Sequence, residues 1–499
     1  MQKKTLLILL LTVLWLVSAV SSPSGSNLVP AGLSAAEWAH IQSQLPPVQQ
    51  QKLAADDAAE NAQFGTTVAI DGNTAVVGAY FIDSRRGAVY VFEFDGETWT
   101  QQAKLRPADN ASGDEFGTAV NIEGDWIVAT SPLDNIDGIS DVGSAYVFRR
   151  EGGAWVEEGK LAASDMAAND TLGDSIAING DTIIVGARQH EDTGGENSGA
   201  AYIFVREQNG EDVTWVEQAK LIAFDRSDLD RFGFVVDVDG DTAVVGSSLD
   251  DDLAENSGAA YIFVRSGTSW SHQAKLTGNQ ALAYYSFGYS VSISGETVAI
   301  GATGSNDGAT SNSGAVYVFT RTGIAWNQQT ILRASDRTNF DTLGSSVDIR
   351  GDTLLAGAGN ADVDGLEQAG AAYLFARSGE DWSEIGKLTA DDGAAQDWFG
   401  WSVSFSGDRA IVGAPRDDDA GLESGSAYLF SISSAILTVA KAGTGTGHVG
   451  SVPMAIECGA ICTADFLPGT VVTLTATPLN GATLRAGAAQ SPARPTPLR

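Results

Sequence analysis

The sequence predicts an all-β protein: a seven-bladed β-propeller of four-stranded blades, closed by the N-terminal strand in the last blade, plus a small C-terminal β module. Three observations carry this. One cassette recurs seven times, opening with Phe-Gly or Leu-Gly at Phe64, Phe116, Leu172, Phe232, Phe287, Leu343 and Phe399, with starts 52 to 60 residues apart. Each copy holds four apolar runs of strand length, in the fourth copy Phe232 to Val238, Thr242 to Gly246, Ala259 to Val264 and Trp270 to Leu276. The third run reads Gly-x-x-Tyr-x-Phe with small or β-branched residues between, so both of its faces are apolar, and radial stacking of blades supplies the neighbours such a sheet needs.

In chain order, Lys3, Lys4, the apolar run Leu6 to Val17 and the small residues after it predict a signal peptide over 1–22, with an uncleaved signal anchor as the alternative. The mature chain is then exported, with no later stretch able to span a bilayer. Residues 23–50 form a linker with a short helix over Ser34 to Gln44, where Ser34 and Glu37 make a capping box. The propeller occupies 51–434. Within each copy, Gly and Asp between the first two runs (Gly240-Asp241, Gly407-Asp408) permit the positive φ of a tight hairpin. The outer run is marked by Trp, then Lys-Leu five residues later. No such run follows Tyr428, whereas Gln51-Lys52-Leu53 stands before Phe64 at the matching offset. That segment is expected to complete the last blade and remove an open sheet edge. The lysines of the outer runs are expected to blunt those edges further.

After Ser434 the pattern changes to Gly, Thr and Val, which predicts a separate β module over 435–483. It holds the only cysteines, Cys458 and Cys462. In an exported chain a local disulfide is favoured over a free pair or metal ligands, since no His or third Cys joins them. Residues 484–499 read as a disordered tail.

The recurring Phe-Gly, the Gly413-Ala414-Pro415 run with its variants Gly186-Ala187 and Gly301-Ala302, and the Gly-x-x-Tyr-x-Phe strand resemble FG-GAP repeats over residues 51 to 434. Those repeats build the seven-bladed head of integrin α subunits and many exported bacterial proteins. The resemblance implies a calcium-assisted role in adhesion or ligand binding. The C-terminal piece, with Leu437-Thr438-Val439, Cys458, Cys462 and Val472 to Ala476, resembles an internalin-B-type bacterial β repeat. It lacks the aromatic Gly-Trp strand of such modules, which suggests truncation or a frameshift.

Integrin blades carry an Asp-rich calcium loop between the first two strands, and here that link is only a tight turn. The acids lie instead between strands two and three, in loops that hold 19 of the chain's 63 Asp and Glu. The links between blades add an Asp four residues after each Lys-Leu (Asp57, Asp109, Asp165, Asp225, Asp336, Asp392) and another two before Phe-Gly. Blade five substitutes Gln280 and Tyr285. Antiparallel order puts both sets at one end of the propeller, as a carboxylate crown opposite short neutral turns. Such residues cap turns and keep an exported chain of net charge −34 soluble. They are also candidate ligands for a divalent cation, which takes several oxygens from a flexible loop. Asn360, Asp362 and Asp364, ahead of Gly365, have the best spacing; Asp250 with Asp252 and Asp417 with Asp419 are the weaker candidates for Ca2+.

Catalytic signatures are missing. The four histidines are scattered, and neither a Gly-x-Ser-x-Gly elbow nor a phosphate loop or metalloprotease helix occurs. The charge argues against nucleic acid as a partner. The expected function is that of a non-enzymatic, exported or surface binding protein, monomeric, recognising a protein or glycan with its acidic loop face. An extracellular propeller hydrolase or lyase, and a structural surface module, are the alternatives.

Overall fold

A computed structural model of the chain describes residues 47–432, apart from 192–194, 211 and 280–281, together with C-terminal strands at Ala435–Ala440, Gly447–Val452, Glu457–Cys458, Ile461–Phe466 and Thr473–Pro478. The expected signal peptide, linker helix and tail lie outside the described residues, as do the side chains of Cys458 and Cys462. The C-terminal strands form a two-stranded and a three-stranded antiparallel sheet.

Seven four-stranded antiparallel sheets make up the rest; in six of them each strand is bonded to the next in sequence, and in the seventh the N-terminal strand takes the outer place. Blade 4 is representative, with Val235–Asp239 innermost, then Thr242–Ser247, Ala259–Ser266 and Ser269–Leu276. Inner strands of successive blades pack side by side, and Ser402–Ser406 of blade 7 meets Thr67–Asp71 of blade 1, which closes the ring. The outer strand of blade 7 is Val48–Leu53, antiparallel to Ser426–Ser431, with Lys52 opposite Tyr428 and a bulge at Gln50. In blade 4, Lys275 stands opposite Tyr261 with the bulge at Gln273. The N-terminal strand therefore reproduces the register of an internal outer strand, bulge included.

The aromatic residues explain the stacking. All seven third-strand tyrosines are at most 1% exposed. The Phe of each Phe-Gly packs edge-on against the Tyr and Phe of its own blade, as Phe64 does on Tyr90 at 5.4 Å and Phe92 at 6.0 Å. In six of the seven blades the Phe-Gly or Leu-Gly pair precedes the inner strand rather than belonging to it. It latches blades together: Phe64 forms a parallel bridge with Gly425 of blade 7, and the equivalent bridge recurs at all seven junctions. The following glycine makes this approach feasible. Gly65 has φ +92°, and a Cβ there would sit 2.2 Å from the Ser426 carbonyl oxygen.

A second set of latches runs around the axis. Inner-strand edges leave backbone N–H groups unpaired, and side chains of the preceding blade accept from them. Ser402 Oγ accepts from Val68 N at 3.1 Å, Ser175 Oγ from Val236 N at 3.1 Å, Asp237 Oδ2 from Ile293 N at 2.8 Å, and Asp348 Oδ2 from Phe405 N at 2.8 Å.

Candidate functional site

The loops between strands two and three and those between blades share one end of the ring and are tied to each other. Tyr284 N donates to Glu255 O at 2.8 Å, and Phe340 N to Ser311 O at 2.9 Å. This loop face carries most of the acids, yet much of their charge is internally matched. In six blades a lysine stands opposite the third-strand tyrosine. Its ammonium reaches back to the linker aspartate that also accepts from the tyrosine hydroxyl. In blade 2, Lys160 contacts Asp109 at 2.7 Å and buried Asp134 at 2.6 Å, while Tyr146 donates to Asp109 at 2.9 Å.

The weaker cation candidates belong to this clamp. Lys275 lies 2.8 Å from Asp250 and 2.6 Å from Asp252; Lys52 lies 2.7 Å from Asp417 and 2.6 Å from Asp419. An ammonium already occupies the space between each pair of carboxylates, so these four acids fit a calcium ion poorly. Burial works against the charge on Lys52, but its hydrogen bonds to Asp417, Asp419 and Asp392 hold its pKa above the usual lysine range. The outer-strand lysines thus join blade to loop.

Asn360, Asp362 and Asp364 sit in a small hairpin. Val363 and Leu366 exchange backbone hydrogen bonds at 3.1 and 2.9 Å, and Asp364 and Gly365 both adopt left-handed backbone, at φ 52° and 83°. Asp362 Oδ1 accepts from Gln368 N at 2.9 Å. The Asp-Gly pair is thereby accounted for as hairpin-turn chemistry, repeated at Asp137-Gly138 in blade 2. Among the described residues no cluster of three or more His, Cys, Asp or Glu is placed to hold a metal.

The opposite face is not free of charge, contrary to the reading of its turns as neutral. Turn acids there pair with third-strand arginines, Arg265 with Asp241 and Arg377 with Asp352, both at 2.6 Å. Each guanidinium also lies over an outer-strand tryptophan, as Arg265 does on Trp270 at 5.4 Å.

Two features escaped the sequence reading. One is the axial cavity of about 460 Å3, lined by inner-strand residues that include Asp237 and Asp348. Burial pushes the Asp237 carboxyl up to about 7, opposed by hydrogen bonds from Ile293 and Val238 and reinforced by Asp348. Ser, Asp and Asn alternating with Val and Ile on the inner strands was the available signal. The other is His190, buried where blades 2, 4 and 7 place Asp134, Asp250 and Asp417. Its Nε2 is 2.6 Å from Lys220 Nζ and its Nδ1 3.1 Å from Asp170. Because lysine can only donate, Nδ1 is assigned the proton and donates to Asp170.

Apolar side chains complete the face. Among the described residues ten large hydrophobics are exposed. Eight of them lie on these loops: Phe224, Leu229, Leu253, Leu282 and Tyr284, then Phe340, Leu366 and Leu422. The other two are Val156 on an outer strand and Ile324 on the opposite face.

The family model for the FG-GAP repeat matches seven segments, 47–92, 99–148, 155–204, 215–263, 270–319, 326–375 and 382–430. The chain belongs to the FG-GAP repeat family. No curated protein matches this FG-GAP chain. Among solved structures it is similar to Saccharomyces cerevisiae Sqt1, at 11% identity and a TM-score of 0.42, covering 77% of this chain and 99% of that one. Among the described residues of this FG-GAP protein, no helix is long and apolar enough to cross a membrane.

Proposed function

We propose that this FG-GAP protein is an exported, non-enzymatic binding module whose loop face docks a protein or glycan ligand. The observation that carries the reading is the gathering, among the described residues, of eight of ten exposed large hydrophobics on one end of the ring. Exposed apolar groups interspersed with matched charge are the composition of a recognition surface. Capture of the full chain by a panel of immobilised extracellular proteins and oligosaccharides tests it. At least one member should retain the chain, and joint replacement of Leu229, Leu253, Leu366 and Leu422 by Ser should abolish retention without lowering Tm. Retention by no member, or undiminished retention of the variant, overturns the reading.

Calcium assistance is a separable proposal, supported by ligand spacing at Asn360, Asp362 and Asp364. Millimolar calcium should then raise Tm, through preferential binding to the folded state, and the rise should vanish in Asp362→Asn. No shift in the unaltered chain removes it.

A hydrolase or lyase is the competing reading, and one observation favours it: the perturbed Asp237 carboxyl on the axial cavity. Against it, both Asp237 oxygens already accept backbone N–H groups, from Val238 at 2.9 Å and Ile293 at 2.8 Å. Turnover of any panel member that disappears in Asp237→Asn would install the enzyme reading instead.

A further inference from the structure

We propose that a cleft between blades 5 and 6 on the loop face binds an uncharged glycan, an inference that rests on the loop face being a binding surface. The cleft is about 430 Å3, within the range of small-ligand sites, and is lined by Tyr284, Asn312, Phe340, Thr342, Asn360 and Gln368 among others. Among the described residues no Asp, Glu, Lys, Arg or His lines it, although the Tyr284 hydroxyl is hydrogen-bonded to Glu255.

Blade 5 is where the repeat departs from its own rule. Ile331 stands opposite Tyr317, where every other blade puts a lysine. In the sequence, Gln280 instead of an acid occupies the linker position that Asp225 holds ahead of blade 4. Both partners of the ionic clamp are thus absent from the blade that forms one wall of the cleft.

The aromatic residues supply an independent observation. The third residue before each Phe-Gly or Leu-Gly has left-handed backbone in all seven blades. Asn61, Gly113 and Asn169 meet that demand easily; blades 4 and 7 place Leu229 (φ 67°) and Gln396 (φ 70°) there, and blades 5 and 6 the aromatic Tyr284 (φ 65°) and Phe340 (φ 70°). Bulky rings in this conformation are strained, and strain held by surrounding structure gathers at functional sites. Both rings are presented to solvent, at 56% and 59% exposure, although the chain could have buried or omitted them.

The chemistry selects the ligand class. Anions are repelled by the field of the whole molecule, and cations are drawn to the acids elsewhere on the face rather than to a neutral cleft. An uncharged sugar ring offers apolar C–H faces to Tyr284 and Phe340. Its hydroxyls both donate and accept, which the amides of Asn312, Asn360 and Gln368 and the hydroxyl of Thr342 match in kind.

The test uses the full chain on immobilised cellotetraose, chitotetraose, mannotetraose and maltotetraose, with tetragalacturonate as the charged counterpart. At least one neutral tetrasaccharide should be retained. Tyr284→Asn and Phe340→Asn should each weaken retention tenfold or more. Asn is the residue blades 1 and 3 use at this position, so Tm should stay level or rise and unfolding cannot explain the loss. Asn360→Ala should weaken binding as well. Retention of no neutral sugar, retention indifferent to all three variants, or retention of tetragalacturonate alone overturns the proposal. If a panel protein is held through the loop face while no sugar is, this inference falls and the broader reading stands. If nothing is held, both fall.

Discussion

Lys52, Lys160 and Lys275 show how single residues set the stability of the loop face. Each ammonium is surrounded by two or three aspartates, one of them almost fully buried (Asp417, Asp134 or Asp250). Removing the lysine strands that carboxylate. Lys52→Met should therefore destabilise the propeller by ~2–4 kcal/mol, less than for a fully buried pair because Lys52 remains partly exposed. Chemical denaturation measures this, and an unchanged midpoint would contradict it. Gly65→Ala should lower stability by ~2–4 kcal/mol through a forced left-handed backbone and a clash with the Ser426 carbonyl. The recurrence of these Lys, Tyr and Gly residues was legible in the sequence. Their partners were not, because each clamp collects an outer-strand lysine, a third-strand tyrosine and acids from two different loops. Asn360-x-Asp362-x-Asp364-Gly365 shows the opposite failure: a ligand spacing and a hairpin turn share the same letters.

At the scale of elements, the order of strands and the closing role of Gln51 to Leu53 were readable, because a repeat with a missing last strand must find it elsewhere. The extent Val48–Leu53 and the bulge at Gln50 were not, since no apolar period marks a bulged residue. Nor were the axial latches: short polar side chains on an inner strand read as solvent-facing until the next blade is set beside them. Deleting residues 48–53 should expose the third strand of blade 7 and lower Tm by about 10 °C or more, equivalent to several kcal/mol in a domain of this size. Scanning calorimetry with and without the segment decides it, and an unaltered Tm would mean that the ring does not depend on this strand.

For the molecule as a whole, the acids divide into two groups of opposite sign. Burial, resisted by one or more hydrogen bonds, pushes Asp230 and Asp237 up to about 7 and Asp174 and Asp397 up to about 6. The folded chain holds their protons where the unfolded chain releases them. Their stabilisation is complete below the ordinary aspartate pKa of ~3.9 and is lost as pH rises through 6 to 7. The clamp aspartates Asp57, Asp109, Asp165, Asp225, Asp336 and Asp392 are also pushed up by burial, but lysine and tyrosine partners outweigh it and hold them low. Their contribution is complete above the ordinary value and is lost as pH falls below it. Tm should therefore peak between about pH 4 and 6. A Tm that climbs steadily from pH 4 to 8 would contradict this balance.

The net charge argues against nucleic acid as a partner from the sequence alone. Where apolar side chains gather on the ring could only come from three dimensions, because Leu229, Leu253, Leu366 and Leu422 fall in four different loops. Hydrogen–deuterium exchange tests the central claim most directly, on the full chain with and without whichever panel member retains it most strongly. The account predicts protection confined to loops such as 222–234, 248–258, 333–346 and 359–370. Protection centred instead on the opposite turns, around residues 266–269 and 322–325, would contradict it.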